Sequence, residues 1–232
     1  MLIRSILFYI LITLWTIFLG IICLPYLLLP SSYLRKPVNI WINGIFKLLS
    51  ITCNITYEIT GKENIPDVPV IVASKHQSAF ETLALFLHIE NSIFIHKKQL
   101  FYIPIFGQYL QKFNMISINR SEGIKAMRKI LNQAKFKISS GFSIIIFPEG
   151  TRTKPGEQAS YKSGFVGIYN EVNSKILPVA VNSGLYWPKH TFIKTSGKII
   201  IKILKPIPSN LQKNELLKEL ETVIEEETNK II

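Results

Sequence analysis

Phe142-Ser-Ile-Ile-Ile-Phe147, broken by Pro148-Glu149-Gly150-Thr151-Arg152-Thr153-Lys154, decides the fold. A short, nearly continuous apolar run closed by turn residues reads as a strand buried on both faces, the kind that lies inside a parallel sheet covered by helices. With its neighbours it gives a strand over 141–147, and working outward the same β-rich texture returns at 55–60, 68–74, 92–96, 115–118, 176–181 and 198–204. Helical patterns stand between several of these runs, clearest at 122–138 and present at 80–87 and 164–170. Alternation of this kind predicts an α/β fold, a mixed, largely parallel sheet flanked by helices. No period of self-similarity points to a repeat architecture. In open α/β sheets, functional groups gather just beyond the carboxyl ends of strands. The residues after 68–74 and after 141–147 are therefore the first candidates.

After 68–74 the chain reads Lys75-His76-Gln77-Ser78-Ala79-Phe80-Glu81-Thr82. A neutral imidazole takes a proton from a hydroxyl near pH 7, and a carboxylate on its other nitrogen fixes the tautomer and stabilises the imidazolium. Residues five apart lie roughly 140° apart around a continuous helix turning about 100° per residue. A His76–Glu81 dyad thus needs His76 on the turn and Glu81 in the first turn of the helix. With Ser78 as N-cap, Glu81 is the third helical residue. The same Ser-x-x-Glu is also a capping box, in which Glu81 bonds the Ser78 N–H and has no part in chemistry. The two roles compete for its oxygens, although one carboxylate can serve both.

After 141–147, Gly150 permits a backbone turn in which successive N–H groups face an anion. Thr151 adds a hydroxyl and Arg152 a planar fork suited to phosphate oxygens. An ordinary polar turn is the competing reading, but only five of the 27 basic residues are arginines, and a turn needing solubility alone is served by lysine. Arg120 also follows a predicted strand end, where a helix dipole or a surface pair explains it equally well.

The chain's 232 residues, 48% of them hydrophobic, exclude disorder, and 12 Gly and 12 Pro exclude collagen-like architectures. Two cysteines, Cys23 and Cys53, make no disulfide framework, and no Cys/His spacing matches structural zinc, so the body is expected in a reducing compartment. The remaining histidines, His88, His96 and His190, have no metal-ligand spacing beside carboxylates. Residues 1–210 carry 24 basic and 9 acidic groups, while the tail carries a net −3. Such a surface favours anions, whether lipid headgroups, nucleic acid or an acidic carrier, although biased residue usage produces the same excess.

No charged residue occurs between Ser5 and Leu34, and about 20 apolar residues suffice to cross a bilayer as a helix. Arg4 precedes the run and Arg35 and Lys36 follow it, which leaves orientation open. A cleaved signal peptide is the competing reading, with no A-x-A-like site to support it. Pro25 and Pro30 bend or stop the helix. Residues 38–51 carry a helical apolar pattern that lies along the interface or packs on the first segment. The expected organisation is a membrane-attaching helical segment at 1–52 and an α/β domain at 53–232. At the far end, Leu211, Leu216, Leu217, Leu220, Val223 and Ile224 form the inner stripe of a surface helix. No chemistry is expected of it.

His76-x-x-x-x-Glu81, Arg120 after a strand, Phe-Pro-Glu-Gly-Thr-Arg at 147–152 and the Pro178-containing apolar strand follow one another in an order that resembles the glycerolipid acyltransferase family. Within it, the chain is most similar to the bacterial 1-acyl-sn-glycerol-3-phosphate acyltransferases. The Lys97-Lys98-Gln99-Leu100 segment with Pro104 and Gly107 looks like the stretch between that family's first two blocks. The resemblance implies transfer of a fatty acyl chain from an acyl-CoA or acyl-carrier-protein thioester to the free hydroxyl of a lysophosphatidate, giving phosphatidate for phospholipid synthesis. It implies His76 as general base and Glu81 as its orienting partner. It places Glu149, Gly150, Thr151 and Arg152 in the block that recognises glycerol phosphate, with Arg120 and more weakly Lys98 assisting, and leaves the role of Pro178 open. No resident cofactor or metal is implied, and no nucleic-acid partner. The implied location is the bacterial inner membrane, with the active site toward the cytoplasm. One departure is that the family usually has Asp where this chain has Glu81. Glycerol-3-phosphate or a lyso-aminolipid is the alternative acceptor, and a non-catalytic, membrane-attached anionic-lipid binder is the alternative of another class.

Overall fold

Pro69 has no N–H to give a ladder, and the strand that follows it begins two residues later. The computed structural model describes residues 1–119, 123–209 and 211–232. Along them run α1 (Leu2–Ile22), α2 (Arg35–Cys53), β1 (Ile55–Thr60), β2 (Ile71–Ser74), α3 (Phe80–His88), β3 (Ser92–Lys97) and α4 (Phe106–Lys112). Then come β4 (Ile116–Ile118), α5 (Ile124–Ser139), β5 (Ser143–Ile146), α6 (Ser163–Val172), β6 (Ile176–Val181), β7 (Gly197–Ile203) and α7 (Lys213–Asn229).

The strands form one sheet in the order β1-β7-β6-β2-β5-β3-β4. Neighbours are parallel except β6 and β7. Five strands therefore run one way, and β1 and β7 the other, which is the mixed, largely parallel sheet expected. Every residue of β2, β5 and β6 is buried. Pro178 is tolerated in β6 because the β6–β7 ladder begins one residue later, at Val179, while its carbonyl accepts the Leu204 N–H at 2.9 Å.

Right-handed crossovers put α3 and α4 on one face of the sheet and α5 and α6 on the other. The packing agrees: Phe46 of α2 stacks on Phe80 of α3 at 4.5 Å, and Gly164 of α6 leaves room for Met127 of α5. Asn54, in the left-handed region at φ 53°, ends α2 and turns the chain into β1. Ile42, Ile45, Phe46 and Leu49 of α2 are buried in the same core as the sheet.

By length and composition α1 can cross a membrane, with a mean hydropathy of 2.4 and most of its surface outside the core. It stops before Pro25 and packs along α2, where Trp15 Nε1 donates to the Trp41 carbonyl and Trp41 Nε1 to Thr16 Oγ1, both at 3.0 Å. Near its start, Ser5 Oγ accepts the Lys194 N–H at 2.8 Å and Phe8 meets Trp187 edge-on at 5.4 Å. Near its end, Tyr109 Oη donates to the Gly20 carbonyl at 3.2 Å. Both ends of α1 therefore touch the body.

Candidate active site

β6, β2 and β5 lie side by side and point the same way, so the turns that follow them converge. His76 follows β2, Glu149 to Arg152 follow β5, and Ser183 follows β6. His76 Nδ1 lies 2.8 Å from Glu81 Oε1. Because a carboxylate oxygen only accepts, Nδ1 carries a proton, and in the neutral form of the ring it is Nε2 that has the free lone pair. Phe147 stacks on the imidazole at 3.9 Å with an interplanar angle of 17°. The His76 backbone is held on both sides, its N–H donating to Glu149 Oε1 at 3.1 Å and its carbonyl accepting the Thr153 N–H at 2.8 Å.

Glu81 is fully buried and serves the dyad and the helix cap together. Its Oε1 also accepts the N–H groups of Gln77 at 2.8 Å and Ser78 at 2.7 Å. Its Oε2 accepts the hydroxyls of Ser78 at 2.6 Å and Ser183 at 2.7 Å. Burial pushes this carboxyl up, but the His76 and Ser78 hydrogen bonds and the His76 charge outweigh it and leave it below the ordinary carboxylate range. Helix α3 starts at Phe80, so Glu81 is its second residue rather than the third expected; Ser78 Oγ still accepts the Phe80 N–H, at 2.9 Å.

The His76 ring lines a cavity of about 890 Å³ together with Glu149, Gly150 and Thr151, within the ~300–1,000 Å³ usual for ligand pockets. Most of the remaining wall is apolar: Ile17 and Leu19 of α1, Trp41 and Ile42 of α2, Phe106 and Leu110 of α4, and Met127 and Ile130 of α5. A mostly apolar chamber, walled partly by α1 and α2, thus carries His76, Glu149 and Thr151 on its lining.

A family model described as Acyltransferase matches residues 56–182. The chain belongs to the acyltransferase family. It is 33% identical over 204 residues to the 1-acyl-sn-glycerol-3-phosphate acyltransferase of Pseudomonas aeruginosa, covering 87% of this chain and 79% of that one. It is 27% identical over 206 residues to a Chlamydomonas reinhardtii protein of the same name, covering 86% of this chain and 61% of that one. The crystal structure of the 1-acyl-sn-glycerophosphate (LPA) acyltransferase from Thermotoga maritima superimposes with a TM-score of 0.83 at 26% identity, covering 99% of this chain and 95% of that one.

In this acyltransferase the block after β5 divides between inside and outside. Glu149 is turned inward and 1% exposed. Burial pushes its carboxyl up to about 7, against the pull of the His76 N–H and the Lys75 ammonium. Gly150 donates its N–H to the Phe147 carbonyl at 2.9 Å, and its φ of +69° explains why glycine stands there. Thr151 is exposed, and its Oγ1 accepts from Lys189 Nζ at 3.1 Å. The same ammonium lies 3.4 Å from the Arg152 carbonyl. The Arg152 side chain itself has no hydrogen-bond partner among the described residues, leaving its fork available.

Arg120 lies outside the described residues. Lys98 is exposed on a short 3-10 turn, and it is Lys97, at the end of β3, that lines the cavity. Ser183 was legible in principle, since the strand-end rule applied to 176–181 points to it. Lys189 and Glu225 carried no local signal. Glu225, on the last helix, reaches Lys75, the residue before His76. Among the described residues, no group of three or more His, Cys, Asp and Glu could hold a metal ion.

Proposed function

We propose that this acyltransferase moves a fatty acyl chain from an acyl-CoA or acyl-carrier-protein thioester to the free hydroxyl of 1-acyl-glycerol-3-phosphate, giving phosphatidate. The observation that carries the reading is the His76–Glu81 dyad, with His76 on the wall of the apolar cavity. His76 Nε2 takes the proton of the glycerol hydroxyl. The oxygen attacks the thioester carbonyl, a C–O bond forms, the C–S bond breaks, and the imidazolium returns the proton to the departing thiolate. Glu81 holds the tautomer and offsets the charge that develops on the ring. The acceptor's phosphate sits against Arg152 and Thr151, with Lys189 beside them. Positioning two large substrates supplies much of the remaining acceleration. No resident cofactor or metal enters the step, and no acyl-enzyme forms, since the base acts directly on the acceptor hydroxyl.

The exposed apolar face of α1 supports attachment to a bilayer, from which a lysolipid reaches the cavity without entering water. We assign the protein to the bacterial inner membrane, its mouth toward the cytoplasm where acyl-CoA and acyl-carrier protein are held. Purified, detergent-solubilised protein given labelled donor with lysophosphatidate, glycerol-3-phosphate or a lyso-aminolipid in parallel tests the reading. Phosphatidate as the dominant product is expected. Faster turnover of another acceptor would replace the substrate, and binding without product from any of them would remove the chemistry.

A further inference from the structure

Beneath the dyad lies a second charged cluster, which the reaction does not use. Lys75, immediately before His76, is 1% exposed. Its ammonium donates to both oxygens of Glu225, at 2.6 and 2.8 Å, and to the Glu157 carbonyl at 3.1 Å. Tyr161 Oη donates to Glu225 Oε1 at 3.3 Å. Glu149 Oε1 stands 3.8 Å from the same ammonium and accepts the His76 N–H. An unbroken set of contacts therefore runs from α7 through Lys75 and Glu149 to the backbone of the base.

A buried ion pair is weak support for stability, because the cost of desolvating both ions often cancels their attraction, and apolar side chains of similar volume serve as well. Helix α7 does not need the pair to dock, since Leu216, Leu220 and Ile224 on it are fully buried. What the pair adds is direction. It joins the turn carrying His76 to a packed helix, and rigid support of this kind fixes a reacting group to within fractions of an ångström.

We infer that Glu225, acting through Lys75, is a positioning residue for His76, holding the turn so that Nδ1 stays on Glu81 and Nε2 faces the cavity. This rests on His76 being the base. The test uses the full chain in detergent with lysophosphatidate and acyl donor, comparing wild type, His76→Ala, Lys75→Arg and the double variant Lys75→Met/Glu225→Met. The double variant removes both charges together and is expected to keep its melting temperature and its acceptor KM. Its kcat is expected to fall about 10²-fold, the size of loss that a misplaced catalytic group produces. Lys75→Arg, which keeps the cation, is expected to retain most of the rate. A folded double variant with wild-type kcat, or a loss confined to KM, overturns the inference. Should the double variant fail to fold, Glu225→Gln, close in shape to the native side chain, is judged by the same division of kcat and KM. Wild-type turnover by His76→Ala would instead overturn the base assignment itself, so the two failures are told apart.

Discussion

Every polar edge of His76 that the chemistry leaves idle is tied down: Nδ1 to Glu81, the N–H to Glu149, the carbonyl to Thr153. Glu81→Gln can present an amide N–H to Nδ1 and so favours the wrong tautomer; kcat should fall by about 10²-fold or more, as steady-state assays will read. Ser183→Ala removes one of two hydroxyls on Glu81 Oε2 and should cost about 1–3 kcal/mol in denaturant unfolding, with a smaller effect on rate. Arg152→Ala and Lys189→Ala should each raise the acceptor KM while leaving kcat largely intact, since the proposed binding mode sets both against the phosphate, distant from the reacting atoms. The two carboxyls respond to pH in opposite senses. Glu81 sits below its ordinary 4.5 in the fold, so its contribution is present above that value and is lost as pH falls through the depressed one. Glu149 is raised from 4.5 to about 7, so the folded state holds its proton more tightly, and stability declines as pH rises between those values. Unfolding of Glu149→Gln across that range should lack this part of the decline.

At the scale of elements, the contact between α1 and α2 depends on Gly44, where a Cβ would stand 2.3 Å from the Trp15 indole. Gly44→Ala should push Trp15 off the Trp41 carbonyl and cost about 1–3 kcal/mol, read as a lower melting temperature with altered tryptophan emission. The strands were legible because β2, β5 and β6 are buried on both faces and carry no alternation to misread. Their ends were less so: 68–74 contracts to Ile71–Ser74 because Pro69 cannot pair, and 141–147 contracts to Ser143–Ile146 as the Gly141 turn and Pro148 close it. His76 and Glu81 were legible because a five-residue spacing across a strand–helix turn is local. Ser183, Lys189 and Glu225 stand between 102 and 150 residues from the dyad or its neighbouring lysine, or come in on a loop, and only the sheet order brings them close. The same limit hid the β1–β7 pairing, which joins Ile55 to Gly197.

Taken whole, the molecule sets a formal charge of +12 beside a largely exposed apolar helix. These two features attract a bilayer by different physics. Screening shortens the reach of charge to about 8–10 Å at moderate salt, while burial of apolar side chains in the interface is insensitive to it. Flotation with anionic vesicles should therefore weaken as salt rises, without being abolished, and should persist on neutral vesicles; release at high salt would mean that α1 does not insert. Under the proposed function, the apolar cavity walled partly by α1 and α2 links that attachment to the chemistry at His76.

The most direct measurement is phosphatidate formation from lysophosphatidate and labelled acyl donor by purified wild-type protein and by His76→Ala, each confirmed as folded from its melting temperature. The proposed dyad beside the cavity predicts product from the wild type and a loss of about 10²–10⁴-fold or more in the variant. Equal turnover by the two would contradict it.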